Sequence, residues 1–416
     1  MAIKVTYLYS ACVLLETEDV KILCDPWFSQ GAYDGSWYHY PKMDSPIEKI
    51  GRVDLIYISH IHPDHYDPKF LKLYLQKYPK TRVLVAPFKM NMLSRRMEID
   101  HIPHDVIAES SIGKTRFSLI PNERAWFDLD SVLVLQHDGH SVVNMNDNFF
   151  NKDQIDRVKA IAPNIQIALL PYAGAGPYPQ TYYDIGPALI EKAALKKQQF
   201  FDRFLQLRDS LNPEIIIPFA GKYNLGGHLY NLNPYRGVAD AVEVSSLDPN
   251  AMVLQDGGAA WVDTKALQPS ALRSEPYDAR DLEIFTSGLS EKPMHYETFF
   301  KDLNISAIPF GKILTKAYGI AAKKFTYQED YWFCIKLQDE WFVMNCNSTN
   351  PLCSIERDSP QITPRSEIYI DLRYLYGILN GNYHWGNAEI GSQFTTRRHP
   401  DIYNEEVQNY LNFLHI

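Results

Sequence analysis

Apolar positions along the first half of the chain fall into short alternating runs: "VTYLYSACVLLE", "VKILCDPW", "VDLIYIS", "RVLVAP", "TRFSLI", "SVLVLQ" and "SVVNMN". A period of two belongs to strands with one face buried. Between the third and fourth runs stands "DPKFLKLYLQKY", where the spacing turns helical and Asp67-Pro68 supplies an N-cap and a first-turn proline. The Asp-Gly pair of "QHDGHS" favours a tight two-residue turn, so Val132–Gln136 and Val142–Met145 are expected as antiparallel neighbours. Further on, the pattern predicts a helix near Gln154–Ala162, a strand at Gln166–Leu170, a long helix around Pro187–Asp209 and a strand at Glu214–Pro218. Hairpins followed by helix–strand units suit two packed sheets flanked by helices.

Near residue 265 the pattern fades. "DTKALQPSALRSEPYDARDLE" is polar and proline-bearing, as linkers are. The expected division is therefore 1–265, carrying the chemistry, and 266–416, an α+β region that shapes a substrate site or an interface. In the second region "DYWFCIKL" and "EWFVMNC" predict a hairpin, and "IDLRYLYGIL" and "NEEVQNYLNFLHI" carry helical spacing. At 416 residues the chain exceeds one compact core, and 45% hydrophobic content is enough for two. A net charge of −9 disfavours nucleic acid as a partner, since phosphate neutralisation needs clustered Lys and Arg. No apolar run approaches the ~20 residues of a membrane helix, so membrane insertion is not expected. The N-terminal run is broken by Lys4 and Glu16, unlike a signal-peptide core, and a cytoplasmic location is expected. The five cysteines are too scattered for a disulfide framework.

Chemistry concentrates in "DLIYISHIHPDHYDP". His60 and His62, two apart at a strand end, point to the same side and can share one ion. Asp64 and His65 follow at a helix entrance, displaced enough to hold a second. Asp147, after "SVVNMN", stands at another strand end, and its neighbour Asn146 is expected to be the more forgiving of the two. Asp25 in "LCDPWF" is expected to orient a ligand histidine or the His60 loop, or else to cap the strand end. The loops "WFSQGAYDGSWYHYP", "YAGAGPYPQTYY" and "GKYNLGGHLYNLNPYR" combine glycine turns with aromatic and amide side chains. Such lining suits a polar ring, which makes Trp27, Tyr172, Lys222 and Tyr223 candidates for substrate contact, with Arg236 a further basic residue.

The H-x-H-x-D-H string resembles the metallo-β-lactamase superfamily, which implies an αββα sandwich with a dinuclear site bridged by Asp147. Where many hydrolases of that superfamily place a histidine after the strand equivalent to "TRFSLIPNERAW", this chain offers Glu123. The last histidine ligand normally follows the final core strand; here Phe219 and Ala220 stand there, and the nearest candidate is His228. With Glu123 the chain is similar to the diiron oxygenase branch, in which a chloramphenicol β-hydroxylase also has a glutamate at this place. It resembles the CMP-N-acetylneuraminate hydroxylases over most of its length, through "VDLIYISHIHPDH", "PYAGAGPYPQTY", "IPFAGKYNLGGH" and "RRHPDIYNEEVQNYLNFLHI". Those enzymes carry a Rieske domain, whose cluster needs Cys-x-His and Cys-x-x-His pairs. No such pair stands in this sequence, so an external electron donor is expected.

The resemblance implies His60, His62 and Glu123 on one iron, Asp64, His65 and His228 on the other, and Asp147 between them. Asp64, Asp147 and Glu123 would be the catalytic carboxylates. Extra anionic ligands weaken Lewis acidity and favour higher oxidation states, a direction that suits iron more than zinc or manganese. The function expected is oxidation of a small polar molecule (amino-sugar, nucleotide-sugar or natural-product-like) with dioxygen as co-substrate. The alternative is a dinuclear zinc hydrolase of the lactonase or phosphodiesterase kind.

Overall fold

The run "VTYLYSACVLLE" forms two strands, Lys4–Tyr9 and Cys12–Glu16, because Ser10 turns the chain with a φ of +50°. Leu14 pairs with Leu23, and the third strand, Lys21–Cys24, then runs parallel to Leu55–Ile58, which runs parallel to Arg82–Val85. With Trp261–Asp263 beyond the first strand and Asp105–Val106 beyond the last, they make a seven-stranded sheet. The coordinates are a computed structural model and describe residues 2–122 and 130–416.

The second sheet has six strands in the order Ile215–Phe219, Ile167–Pro171, His140–Asn144, Ser131–His137, Thr115–Pro121 and Glu109–Ile112. The Asp-Gly hairpin is present as expected: His137 pairs with His140, and Asp138 and Gly139 both have positive φ, +46° and +78°. The strands after it are parallel, each reached through a helix.

Facing residues of the two sheets fill the space between them, among them Val5, Val13, Ile22 and Tyr57 against Phe117, Leu133, Leu135 and Leu169. Outside the first sheet, helices Pro68–Lys77 and Met92–Ile99 bury Phe70, Leu71, Tyr74, Leu93 and Met97. Asp67 caps the first of these, its carboxylate accepting from the Phe70 amide at 3.0 Å. Outside the second sheet lie Lys152–Ile161, capped by Asn151, and the 25-residue Pro187–Leu211. The layers are therefore helix, sheet, sheet, helix.

The second half builds a five-stranded sheet, ordered Cys353–Glu356, Trp341–Asn345, Trp332–Lys336, Arg365–Ile370 and Phe394–His399. The hairpin expected from "DYWFCIKL" and "EWFVMNC" is its centre. "IDLRYLYGIL" becomes helix Leu372–Leu379, whereas "NEEVQNYLNFLHI" gives only Glu405–Asn409 followed by a 3₁₀ turn at Tyr410–Phe413. The core of this half is shared: Tyr9, Trp27, Tyr33 and Trp37 from the first half pack in one cluster with Met294, Tyr296, Phe310 and Trp385. Among the described residues no helix is long and apolar enough to cross a membrane.

Candidate metal centre

Strand Leu55–Ile58 is buried at every position, and the chain leaves it at Ser59 into the loop His60–Asp67. Asp25, fully buried with a φ of +42°, holds that exit. One of its oxygens accepts from the Ser59 amide at 2.7 Å; the other accepts from the Ser59 hydroxyl at 2.6 Å and from His65 Nδ1 at 2.9 Å. With the Nδ1 proton held by Asp25, His65 turns Nε2 toward Asp64 at 3.5 Å and Asp147 at 3.7 Å, where a bound cation would take the place of a second ring proton. His60 Nδ1 lies 2.9 Å from Ser59 Oγ and 3.3 Å from Asp130, so its Nε2 also faces inward, 3.9 Å from Asp147. His62 presents Nδ1, 2.8 Å from His60 Nε2. Asp64 is fixed by the Tyr33 hydroxyl at 2.6 Å.

Asp147 is placed by a turn of buried asparagines. Asn146 has a φ of +53°, takes Asn144 Oδ1 on its amide at 3.0 Å, and donates from its side chain to the Ser131 carbonyl at 2.8 Å. Asn148 donates to the same carbonyl at 3.1 Å. Asn146, expected to be more forgiving than Asp147 because a neutral amide adds little to a metal centre, is fully buried and ties the Asp147 turn to the strand beside it.

The protein's charges divide the cluster. Burial and the His65 charge keep His60 below the ordinary imidazole value, and burial with His60 takes His62 down to about 3. Burial also opposes a charge on His65, but Asp64, Asp147 and Asp25 outweigh it and hold its pKa well above the usual value. Burial and the adjacent Asp147 push Asp130 well up, while Asp147 stays low despite burial because His60, His65 and Asp130 favour its anion.

Two features fit a cation at this place. Among the described residues, Asp147 Oδ1 is buried without a hydrogen-bond partner. The lone pair on His60 Nε2 meets a ring nitrogen of His62 at only 2.8 Å. Ligand atoms of His60, His65 and Asp147 all lie within 4.8 Å of one another, a grouping of donors that fits metal at this place.

The centre opens into a cavity of about 790 Å³ lined by His60, His62, Asp130, Asp147, Phe149 and Arg203 among others. Arg203 lies over the rings of Phe149 and Phe200, at 5.5 and 5.3 Å. The second half reaches this wall through Glu405, and His384 stands nearby, its imidazole pKa lowered by burial and then by neighbouring His415 and His62.

The structure brings together His60, His62, Asp64, His65, Asp147 and Asp25. Glu123 lies outside the described residues. His228 is not brought to the cluster: after strand Ile215–Phe219 the segment Asn224–Leu225 pairs with Trp37–Tyr38, drawing the chain sideways. His228 then opens a 3₁₀ helix on the surface, among Glu297, Asp371 and Arg373. Several expected substrate contacts are spent internally. Trp27 is buried against His39 at 4.0 Å, and Tyr172 packs beneath Gly221, where a Cβ would come within 2.6 Å of its ring. Lys222 pairs with Asp256 at 2.8 Å over the Tyr277 ring, and Arg236 donates to the Tyr223 carbonyl. Tyr223 stacks on Trp37 at 3.6 Å, its hydroxyl buried without a hydrogen-bond partner among the described residues. Sequence reasoning missed Asp130, Tyr33 and Ser59. For Asp130 the available signal was an acid at the start of a strand that begins beside the "NMNDN" turn.

The chain is similar to several known proteins. A protein of Mycolicibacterium smegmatis named as a Rieske 2Fe-2S iron-sulfur protein is 29% identical over 68% of this chain, and the match spans 58% of that protein's length. The cytidine monophosphate-N-acetylneuraminic acid hydroxylase of Xenopus laevis is 23% identical over 98% of this chain and 71% of its own. Among solved structures, the metallo hydrolase Igni18 of Ignicoccus hospitalis aligns with a TM-score of 0.41 at 17% identity, over 63% of this chain and 99% of that one. Residues 4–186 match the Beta-lactamase superfamily domain, and the chain has the metallo-β-lactamase fold.

Proposed function

We propose that the chain is a non-haem diiron oxygenase acting with dioxygen on a small polar substrate of the amino-sugar, nucleotide-sugar or natural-product type, with electrons from a separate donor. The observation that carries this reading is the carboxylate content of the centre. Asp64 and Asp147 face His65 Nε2 at 3.5 and 3.7 Å, while Asp130, 3.3 Å from His60 Nδ1, stands behind that ring with its neutral form favoured and adds no anionic donor. Glu123 is assigned as a further carboxylate. Anionic oxygen donors favour the higher oxidation state of iron and blunt the Lewis acidity that zinc hydrolysis needs.

In this reading His60, His62 and Glu123 hold one iron, Asp64 and His65 the other, and Asp147 lies between. Bound iron supplies the capacity to activate dioxygen for attack on a C–H or N–H bond. The chain's residues do the positioning: Asp25 and Ser59 fix the ring orientations of His60 and His65, and Asn146 and Asn148 fix Asp147. Arg203, with Phe149 behind it, suits a substrate that carries a carboxylate or phosphate. Residues 266–416 act as a substrate-shaping unit, Glu405 contributing to the cavity. The similarity to hydroxylases over nearly the whole chain supports the reading.

The test is metal analysis of protein expressed in iron-replete medium, with optical absorption and substrate-dependent dioxygen consumption. Coloured, iron-containing protein that consumes dioxygen is the expected result. A colourless zinc protein that turns over esters or phosphodiesters would replace this reading with the hydrolase one.

A further inference from the structure

At the other end of the sandwich three hairpin turns converge: Thr17–Val20, Gly113–Lys114 and Asp138–Gly139. Strand Ser131–His137 joins the two ends, since it begins beside Asp130 at the metal centre and finishes here, roughly 20 Å away. Its last residue, His137, is 1% exposed. The His137 ring is set by a relay: the Thr115 hydroxyl donates to Asp19 at 3.0 Å, so its oxygen accepts from His137 Nδ1 at 2.9 Å. That arrangement puts the ring proton on Nδ1 and leaves Nε2 as a lone pair.

Nε2 is buried and, among the described residues, has no hydrogen-bond partner. Among the described residues, the carboxylates Glu18 Oε1 at 3.8 Å and Asp138 Oδ2 at 3.6 Å are its acidic neighbours, and a lone pair opposed by two anions is an unfavourable arrangement. Lys114 sits near the acids, 3.5 Å from Asp138 and 3.7 Å from Glu18, but its side chain is 68% exposed and free to swing away. Arg116 lines the same groove. Tetrahedral coordination at about 2.0–2.1 Å spaces donor atoms about 3.4 Å apart, within a few tenths of an ångström of the distances seen.

We propose that His137 Nε2, Glu18 and Asp138 form a second, separate site for a divalent cation of the zinc class, water completing the shell. Imidazole with two carboxylates suits zinc better than magnesium or calcium, which prefer oxygen alone. Gly113 belongs to the same construction: it has a φ of +56°, and a Cβ there would come within 2.3 Å of Asp19, which orients the ring through Thr115.

Zinc titration by calorimetry into the full chain, with whatever metal the purified protein carries, tests this. Wild type is expected to take up one more equivalent than either His137→Gln or Asp138→Asn, while metal at the His60 cluster is unchanged. Asp138→Asn carries the test if the buried variant fails to fold, because asparagine tolerates the positive φ of this exposed turn position. Nitrogen-15 NMR of the His137 ring supplies a second readout: zinc should shift Nε2 without placing a proton on it. Equal zinc uptake by all three proteins, or a protonated Nε2 under saturating zinc, would overturn the proposal and leave a histidine that simply pairs with its acids.

Discussion

Replacing Asp25 with asparagine isolates the role of a buried carboxylate that touches no metal position itself. Asp25 takes three hydrogen bonds, two from Ser59 and one from His65 Nδ1. An amide can accept on one atom only. If its NH₂ replaces the oxygen facing His65, the ring must carry its proton on Nε2, which closes that atom to a cation. If the NH₂ faces the Ser59 amide instead, a buried donor is left unpaired at about 1–3 kcal/mol. Loss of a carboxylate behind a ligand histidine typically weakens metal binding 10–100-fold, about 1.4–2.7 kcal/mol. Asp25→Asn should therefore raise the dissociation constant of the His60 cluster for iron or zinc by that factor, measured by chelator competition, with thermal melting as a check on the fold. A variant that melts lower yet binds metal as tightly as wild type would refute the reasoning and reduce Asp25 to a cap on the strand end.

Asp147→Ala should abolish binding of at least one ion at the cluster; retention of both, counted by elemental analysis, would refute its bridging assignment. Glu123→His adds one positive unit to the centre's formal charge, so the iron potential should rise and dioxygen consumption fall, and an unchanged potential would remove Glu123 from the ligand set. Arg203→Ala should raise KM for a substrate bearing a carboxylate or phosphate while sparing kcat; an effect confined to kcat would place Arg203 outside substrate binding. Burial raises Glu389 to about 7 against an ordinary 4.5, despite help to its anion from Gln408, Tyr182 and Arg398. The folded state therefore binds more protons than the unfolded one between these values, and stability falls as pH rises through them, by about 3 kcal/mol at most. Glu389→Gln should flatten that decline in denaturant titrations at pH 5 and 8, and an unaltered slope would show that Glu389 is not its source.

Local signals in the chain carried far. The H-x-H-x-D-H string, the Asp67 cap and the Asp-Gly turn each depend on neighbours a few positions away, and each folds as its spacing implies. The two-sheet layering follows from alternation, because one-residue slips would expose a buried face. What was not legible depends on distant partners. His228 was only the nearest candidate beyond the last core strand, and a two-residue pairing with Trp37–Tyr38 decides where that chain goes. The charges of Lys222 and Arg236 were plain in the sequence, whereas Asp256 and the Tyr223 carbonyl, which use them up, were not. Asp130 and Tyr33 reach the centre only through sheet register and a left-handed turn; Tyr33 has a φ of +51°.

The packing of the Tyr33 loop has a consequence for how the molecule comes apart. Gln393 donates to the Tyr33 carbonyl at 3.1 Å, Ser36 to the Gly391 carbonyl at 2.5 Å, and Tyr374 to Asp34 at 2.7 Å. The residue that steadies Asp64 is thus clamped by segments more than 330 positions away. A protein truncated near residue 265 would keep every histidine of the cluster yet lose the vice around Tyr33, and would strip the cover from Trp27 and Trp37. Melting should accordingly be a single cooperative event, with the ligand loop surrendering its order at the same temperature as the C-terminal sheet.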